Sequence, residues 1–260
     1  MKTEYKLLNH GHIKVLDSMG GDGAIVGSAR ISYQKGTQIK NNDVGLINYL
    51  LRHKHWSPAE GSVLSLDIKL PMFVARQWMR HKLIAVNEVS ARYSLLPSEN
   101  YIPDEIHIQS KDNMQGREDE LVDDQGEMRD AMKENFDQCY KLYESMLERG
   151  VAREIARIVL PAGIYTHVIL TTNLRDLIHF IDQRADQHAQ YEIRVYAEAL
   201  KEILKEWCPA AYQAAVDYIW EAMSFSRHEL SLLQYNGQPF PEEMGKREIA
   251  EFKEKLGIKD

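Results

Sequence analysis

Two cysteines, Cys139 and Cys208, are all that 260 residues contain, so neither a disulfide framework nor a CxxC redox motif is present. Both fall in helix-like stretches, which suits core or half-buried thiols in a reducing compartment. Long apolar runs are missing as well. No stretch reaches the roughly 18 apolar residues of a transmembrane helix. The opening MKTEYKLLNHGH has no apolar segment of signal-peptide length. The expected location is the cytoplasm, with no membrane partner. A basic excess is also lacking: 32 Lys and Arg against 39 Asp and Glu give a formal net charge of -7. Duplex nucleic acid needs a broad basic face and is a poor partner for such a surface. A local basic pocket for a small phosphorylated ligand stays compatible with it. Finally, there is no P-loop, no GxGxxG after a strand and no GxSxG nucleophile elbow. The cluster GGDG at 20–23 reads as a turn.

What is present is an ordinary globular composition, with 44% hydrophobic and 27% charged residues and no internal repeat. The length allows a sizeable core. One domain over 1–225 is expected, followed by a polar tail over 226–260 that crosses onto a partner or stays loose. Residues 110–130 hold eight acids, three bases and two glycines, and are expected as an exposed acidic insertion. The stretch 24–34 is ambiguous between strand and helix. From Asp43, Val44, Ile47, Leu50 and Leu51 recur at helical spacing, with Asn42 or Asp43 as N-cap and a stop at Ser57-Pro58. VLSLDIKL alternates and predicts a half-exposed strand. Pro71 opens a predicted helix to about Lys82, and VNEVSARYSLLP reads as loop, turn or short strand. Met128, Met132, Phe136, Cys139, Tyr143 and Met146 form a helical stripe that ends at Gly150. AREIARIVLP predicts a short helix, and NLRDLIHFIDQR a helix capped by Asn173. Ala189, Ile193, Tyr196, Leu200, Ile203 and Trp207 predict a core face on the next helix. The order suggests α+β: an early antiparallel or mixed sheet, then packed helices.

The run RQWMRHKLIAVNEVSARY, Arg76 to Tyr93, concentrates positive charge in an acidic chain. On the predicted helix, Arg76 and Arg80 share a face, as do Gln77 and His81. Arg offers a planar fork of donors suited to a phosphate or an imide edge. Ser90 and Arg92 follow, completing a candidate phosphate clamp beside Glu88. The alternative is a solvated amphipathic face. A second set, Arg157, Arg175, Arg184 and His188, interrupts apolar helical surroundings. Its members need partners, either Asp176, Asp182 or Asp186, or a ligand anion. His10 and His12, and His53 and His55, have H-x-H spacing, but no complete ligand set is legible and no metal is expected.

Arg80-His81-Lys82, seven residues, then Ser90 resembles the R-H-R-x7-S signature of flavin-dependent thymidylate synthases, with Lys82 in place of Arg. The surrounding FVARQW and NE-S-RYS, AREIARIVLP, Asn173 with Arg175, and RADQHAQYE are similar to the family too. The likeness runs from about Ala29 to about Pro209. It implies the family's fold and the conversion of dUMP to dTMP. Methylenetetrahydrofolate would be the one-carbon donor and NADPH the reductant of bound FAD, in a homotetramer with shared active sites. By similarity, Arg80, His81, Lys82, Glu88, Ser57, Asn173, Arg175, His179 and His188 contact the flavin, with Ser32 a weaker candidate. Gln77, Arg80, Glu88, Ser90, Ala91, Arg92, Arg157 and Arg184 match dUMP-binding positions. Arg184 is the candidate for chemistry, stabilising uracil ionised at N3, and His55 supports it near the flavin and folate. Ala91 stands where the family often has Gly, so its backbone must avoid a positive φ. A flavin-binding homologue without synthase activity is the alternative reading, with Lys82 as its mark. A nucleotide- or RNA-binding module is disfavoured by the net charge.

Overall fold

Alternation decides the centre of the fold. In VLSLDIKLP, Leu64, Leu66, Ile68 and Leu70 are buried to 1% exposure or less, while Ser65, Asp67 and Lys69 stay half-buried on the other face. Burial of each such side chain is worth about 1.5–3 kcal/mol. The computed structural model describes residues 3–31, 43–111, 113–234, 240 and 244–258. In chain order these form β1 (Glu4–Leu7), β2 (Gly11–Met19), α1 (Asp22–Ile31), α2 (Asp43–Arg52), β3 (Val63–Pro71), α3 (Met72–Trp78) and β4 (Ile84–Glu88). Then come β5 (His107–Gln109), β6 (Arg117–Leu121), α4 (Gln125–Glu148), α5 (Arg153–Ala156) and a 3-10 turn (Arg157–Val159). The chain continues with β7 (Tyr165–Asn173), α6 (Leu174–Arg184), α7 (Tyr191–Trp207), α8 (Pro209–Ala215), a π turn (Val216–Trp220), α9 (Arg227–Gln234) and α10 (Lys246–Lys255).

The main sheet has five strands in the order β1-β2-β3-β7-β4, and every neighbouring pair is antiparallel. The class is α+β as expected, but the sheet is not completed early. Its fourth position is filled by β7, which pairs with β3 over nine positions, from Val63 opposite Asn173 to Pro71 opposite Tyr165. Helices α3, α6 and α7 pack on the sheet, and α1, α2 and α8 join them in one apolar cluster. Gly11 has no side chain where the Tyr196 hydroxyl passes to reach the Lys69 carbonyl at 2.8 Å.

Several expectations need correcting. Helix α3 ends at Trp78 rather than near Lys82; the Arg80 and His81 N–H groups bond back to Gln77 and Trp78 carbonyls, tightening the last turn. Pro71 precedes the helix in extended conformation, and the first helical N–H groups, of Met72 and Phe73, are taken by the Ile164 and Ala162 carbonyls. Helix α2 ends at Arg52, before Ser57-Pro58, in a turn where Lys54 has φ 57°. Asn42 lies outside the described residues, and Asp43 opens that helix. Residues 24–31 are helical. Ala189 precedes α7 in a turn instead of joining its core face. The stripe on α4 is buried only at Tyr143. The acidic stretch is not loop throughout; it carries β6, mostly exposed, and the first residues of α4. Beyond 225, α9 and α10 are helical and share a small cluster of Leu232, Met244 and Phe252. Cys208 is fully buried, and burial pushes its thiol pKa up; Cys139 is half-buried. Among the described residues, no helix is long and apolar enough to cross a membrane.

Asp22 joins the two ends of the domain. Its carboxylate accepts the N–H groups of Ala210 and Ala211 at 2.8 and 3.0 Å, capping α8 behind Pro209. Replacing Asp22 with Ala is expected to destabilise the fold by about 1–2 kcal/mol, read as a lower urea midpoint with an unchanged slope.

Candidate active site

Helix α3 leaves β3 at Pro71, and α6 leaves β7 at Asn173, so they depart from opposite ends of the central ladder. Asn173 starts α6 as expected: its side chain accepts the Asp176 N–H at 3.0 Å and donates to the Asp176 carboxylate at 2.6 Å. The two helices meet where Trp78 stacks on Phe180, with centroids 4.3 Å apart and planes 22° from parallel. That stack brings His81 against Phe180, at 4.9 Å, and against Arg184. Arg184 donates from Nε to His81 Nε2 at 3.1 Å. Burial, then the charge of Arg184, then His179 push the His81 pKa down to about 4. The imidazole is therefore neutral near pH 7 and free to accept. Burial also lowers the Arg184 pKa, yet a guanidinium stays charged.

Arginine partners differ from those considered. Arg175 pairs with Glu60 at 2.6 Å, not with Asp176, Asp182 or Asp186. Arg92 pairs loosely with Glu154 at 3.4 Å, with both side chains about half exposed, an interaction of little worth in water. Among the described residues, no carboxylate forms an ion pair with Arg80, Arg157 or Arg184. Lys82 is exposed and turns back, donating to the Met79 carbonyl at 3.2 Å.

Residues 84–88 form a strand, and Glu88, at its end, accepts the Thr166 hydroxyl at 2.5 Å. Ser90 follows in a turn, its Oγ accepting the Arg92 N–H at 3.3 Å. Ala91 is buried there and is not among the residues with positive φ, so the missing Gly imposes no backbone strain. Arg153 donates to the Tyr93 carbonyl at 2.8 Å and ties this turn to α5, directly before Arg157.

Two cavities lie beside α6 and the turn that follows it. The first, about 310 Å³, is lined by Trp56, Leu83, Ile178 and Ile219, with Arg175, His179, Asp176 and Asp182 at its polar side. Ser57 and His55 neighbour Trp56 in the exposed turn after α2, where the His55 ring lies 5.8 Å from Tyr49. The second cavity, about 500 Å³, lies under the β5–β6 hairpin and takes His188, Gln190 and Tyr191 into its wall. His188 thus faces a different cavity from Arg175 and His179, and it is held by Asp186 at 2.8 Å. Ser32 lies outside the described residues. Gln77 donates to Gln190, a contact unread in the sequence although RADQHAQYE marked the segment. Glu60, Trp56 and Phe180 were also missed; only the neighbouring motifs HWSP and NLRDLIHF pointed near them.

Comparison with known proteins gives the family. A family profile described as thymidylate synthase complementing protein matches residues 14–210. The chain is 45% identical over 264 aligned positions to a flavin-dependent thymidylate synthase of Ehrlichia ruminantium, covering 98% of this chain and 89% of the relative. It is 46% identical to that of Gluconobacter oxydans, covering 89% and 78%. Among solved structures, the UMP/dUMP methylase PolB of Streptomyces cacaoi, bound with 5-Br dUMP, superimposes with TM-score 0.75 at 28% identity. That match covers 82% of this chain and 98% of the methylase. The sequence, the ladder-borne helices and these relatives together place the chain in the flavin-dependent thymidylate synthase family.

Proposed function

We propose that the protein is a flavin-dependent thymidylate synthase. It converts dUMP to dTMP in the cytoplasm, with methylenetetrahydrofolate as one-carbon donor, NADPH as reductant and FAD as cofactor, in a homotetramer. The observation that carries this reading is Arg184: a charged guanidinium without an ion-pair partner among the described residues, oriented by neutral His81. A fixed cation at the uracil edge stabilises the N3 anion and raises electron density at C5, the carbon to be methylated. Arg80 and Arg157, equally unpaired, and Ser90 and Arg92, on one turn, supply donors for the nucleotide phosphate. Gln77, through Gln190, fixes the loop before α7 beside them. Glu88 and the Ala91 backbone complete the nucleotide side.

The first cavity fits a flavin. Trp56, Leu83, Ile178 and Ile219 give a planar ring an apolar wall; at its edge His179 and Arg175, the latter paired with Glu60, offer donors, and Asp176 and Asp182 offer acceptors for ring N–H groups. Ser57, Asn173, Arg80, His81 and Lys82 would hold the rest of the cofactor, with His55 at the folate side and His188 at the far end. When bound, the flavin supplies the redox chemistry of methyl formation. The protein's own part is to bind, orient and polarise. Neither cysteine is poised as a nucleophile: Cys208 is fully buried with a raised pKa, and Cys139 is half-buried on α4 with its Sγ 3.8 Å from Asn135 Oδ1.

Anaerobic dTMP formation from dUMP, NADPH and methylenetetrahydrofolate tests the reading; a yellow protein without turnover would instead support the flavin-binding homologue. Arg184→Ala is expected to lower kcat by at least about a hundredfold while flavin content is kept, and unchanged turnover would remove its role. Lys82→Arg, which replaces a point charge by a fork, is expected to retain FAD more tightly on dilution. NMR titration should find His81 ionising near pH 4, and Arg184→Gln should move that value upward, short of 6.5 because burial remains the largest cause. The sign for stability follows. The unfolded chain binds the His81 proton more readily, so this group contributes stability above pH 6.5 that is lost as pH falls toward 4.

A further inference from the structure

The sheet face opposite α3 and α6 carries a cluster that the proposed reaction does not use. His12 lies on β2, Asp67 on β3 and His167 on β7, three adjacent strands. His12 and His167 both stand opposite Lys69, and Asp67 is two residues before Lys69, so all three side chains share one face. His12 Nε2 lies 2.9 Å and His167 Nε2 2.5 Å from the same oxygen, Asp67 Oδ1. The three ligand atoms lie within 4.8 Å of one another. The neighbouring cations are committed elsewhere: Lys69 pairs with Glu99 at 2.5 Å, and Lys14, opposite Asp67, pairs with Glu4 at 3.5 Å. Asp67 is therefore left to the two imidazoles. Burial alone would raise its pKa, but hydrogen bonds from His12 and His167 outweigh that and hold the carboxyl below its usual range.

We infer that His12, Asp67 and His167 form a binding site for one divalent transition-metal ion of the zinc class. Two imidazoles and one carboxylate are a donor set for such ions, with further positions open to water. Asp67 and His12 are about four-fifths buried, which limits their rotamers, while His167 is 48% exposed and opens the site to solvent. In the metal-free state each imidazole donates its Nε2–H to the carboxylate. Metal binding moves each of those protons to Nδ1, freeing the Nε2 lone pair, so two neutral tautomers exchange without net proton change. Ligand atoms around a tetrahedral zinc ion stand about 3.3 Å apart. The two contacts to Asp67 need to open by less than about 1 Å, within the reach of side-chain rotation. The bound ion would clip β2, β3 and β7 together on the sheet face opposite α3 and α6.

The test is a calorimetric titration of the untagged, EDTA-dialysed full chain with Zn²⁺, repeated with Co²⁺ followed by visible absorption. The expected result is one ion per chain, with His12→Ala and His167→Ala each weakening binding by more than about tenfold. His228→Ala, remote from the cluster in sequence and held by Glu248, serves as the unaffected control. As a second measurement, Zn²⁺ should raise the Tm of the wild type and not that of the double variant His12→Gln/His167→Gln. No uptake by the wild type would overturn the site. So would unchanged stoichiometry and affinity in the double variant.

Discussion

The Trp78–Phe180 stack is the contact on which the site depends. A nine-residue antiparallel ladder is about 30 Å long, and α3 and α6 enter from its two ends. Their lengths, roughly 10 and 16 Å by helical rise, together nearly span it. Their C-terminal turns therefore meet over the sheet, and the ring stack fixes how they meet. His81 and Arg184, separated by 103 residues, touch because Trp78 and Phe180 do.

Meeting at C-terminal ends has an electrostatic consequence. The last turn of each helix carries partial negative charge from unsatisfied carbonyls. Cations placed there are favoured by the backbone itself, before any ligand arrives. Lys82 shows this directly, since its ammonium sits on the Met79 carbonyl, and Arg184 closes the last turn of α6. An acidic protein can thus hold a dense basic cluster without matching carboxylates. Arg80, Arg157 and Arg184 stay without ion pairs among the described residues, which leaves their forks to an anion.

Much of this was legible in the sequence where the signal is local. The alternation of Leu64, Leu66 and Ile68 marked β3, Asn173 marked the start of α6, and the Arg-His-Lys run with Ser90 marked the site. What was not legible depends on distant partners. Strand β7 has the same alternation as β3, but its role at the sheet centre is set by pairing with β3 a hundred residues earlier, at Lys69 opposite His167 and Asp67 opposite Ile169. Arg80 and His81 keep helical spacing in the sequence, but their N–H groups bond one residue short of it, so α3 stops at Trp78. Asp176, Asp182 and Asp186 are the nearest carboxylates in sequence, whereas Arg175 pairs with Glu60, 115 residues earlier. The separation of His188 from His179 into two cavities depends on the hairpin β5–β6, whose acidic sequence resembles an insertion.

The two faces of the sheet apply the same rule to opposite ends. On the inner face, registration brings apolar side chains together and burial does the rest. On the outer face, registration brings His12, Lys69 and His167 into one row and Asp67 one pleat away. The H-x-H spacing of His10 and His12 puts two residues on one face of a strand, yet a shared face does not make them partners. His10 lies in the turn before β2 and meets Tyr165, with ring centroids 5.5 Å apart. His12 instead finds its counterpart 155 positions away, because β3 holds β2 and β7 at fixed spacing on either side of Asp67. The ladder that sets the meeting of α3 and α6 on one face therefore also sets the cluster on the other.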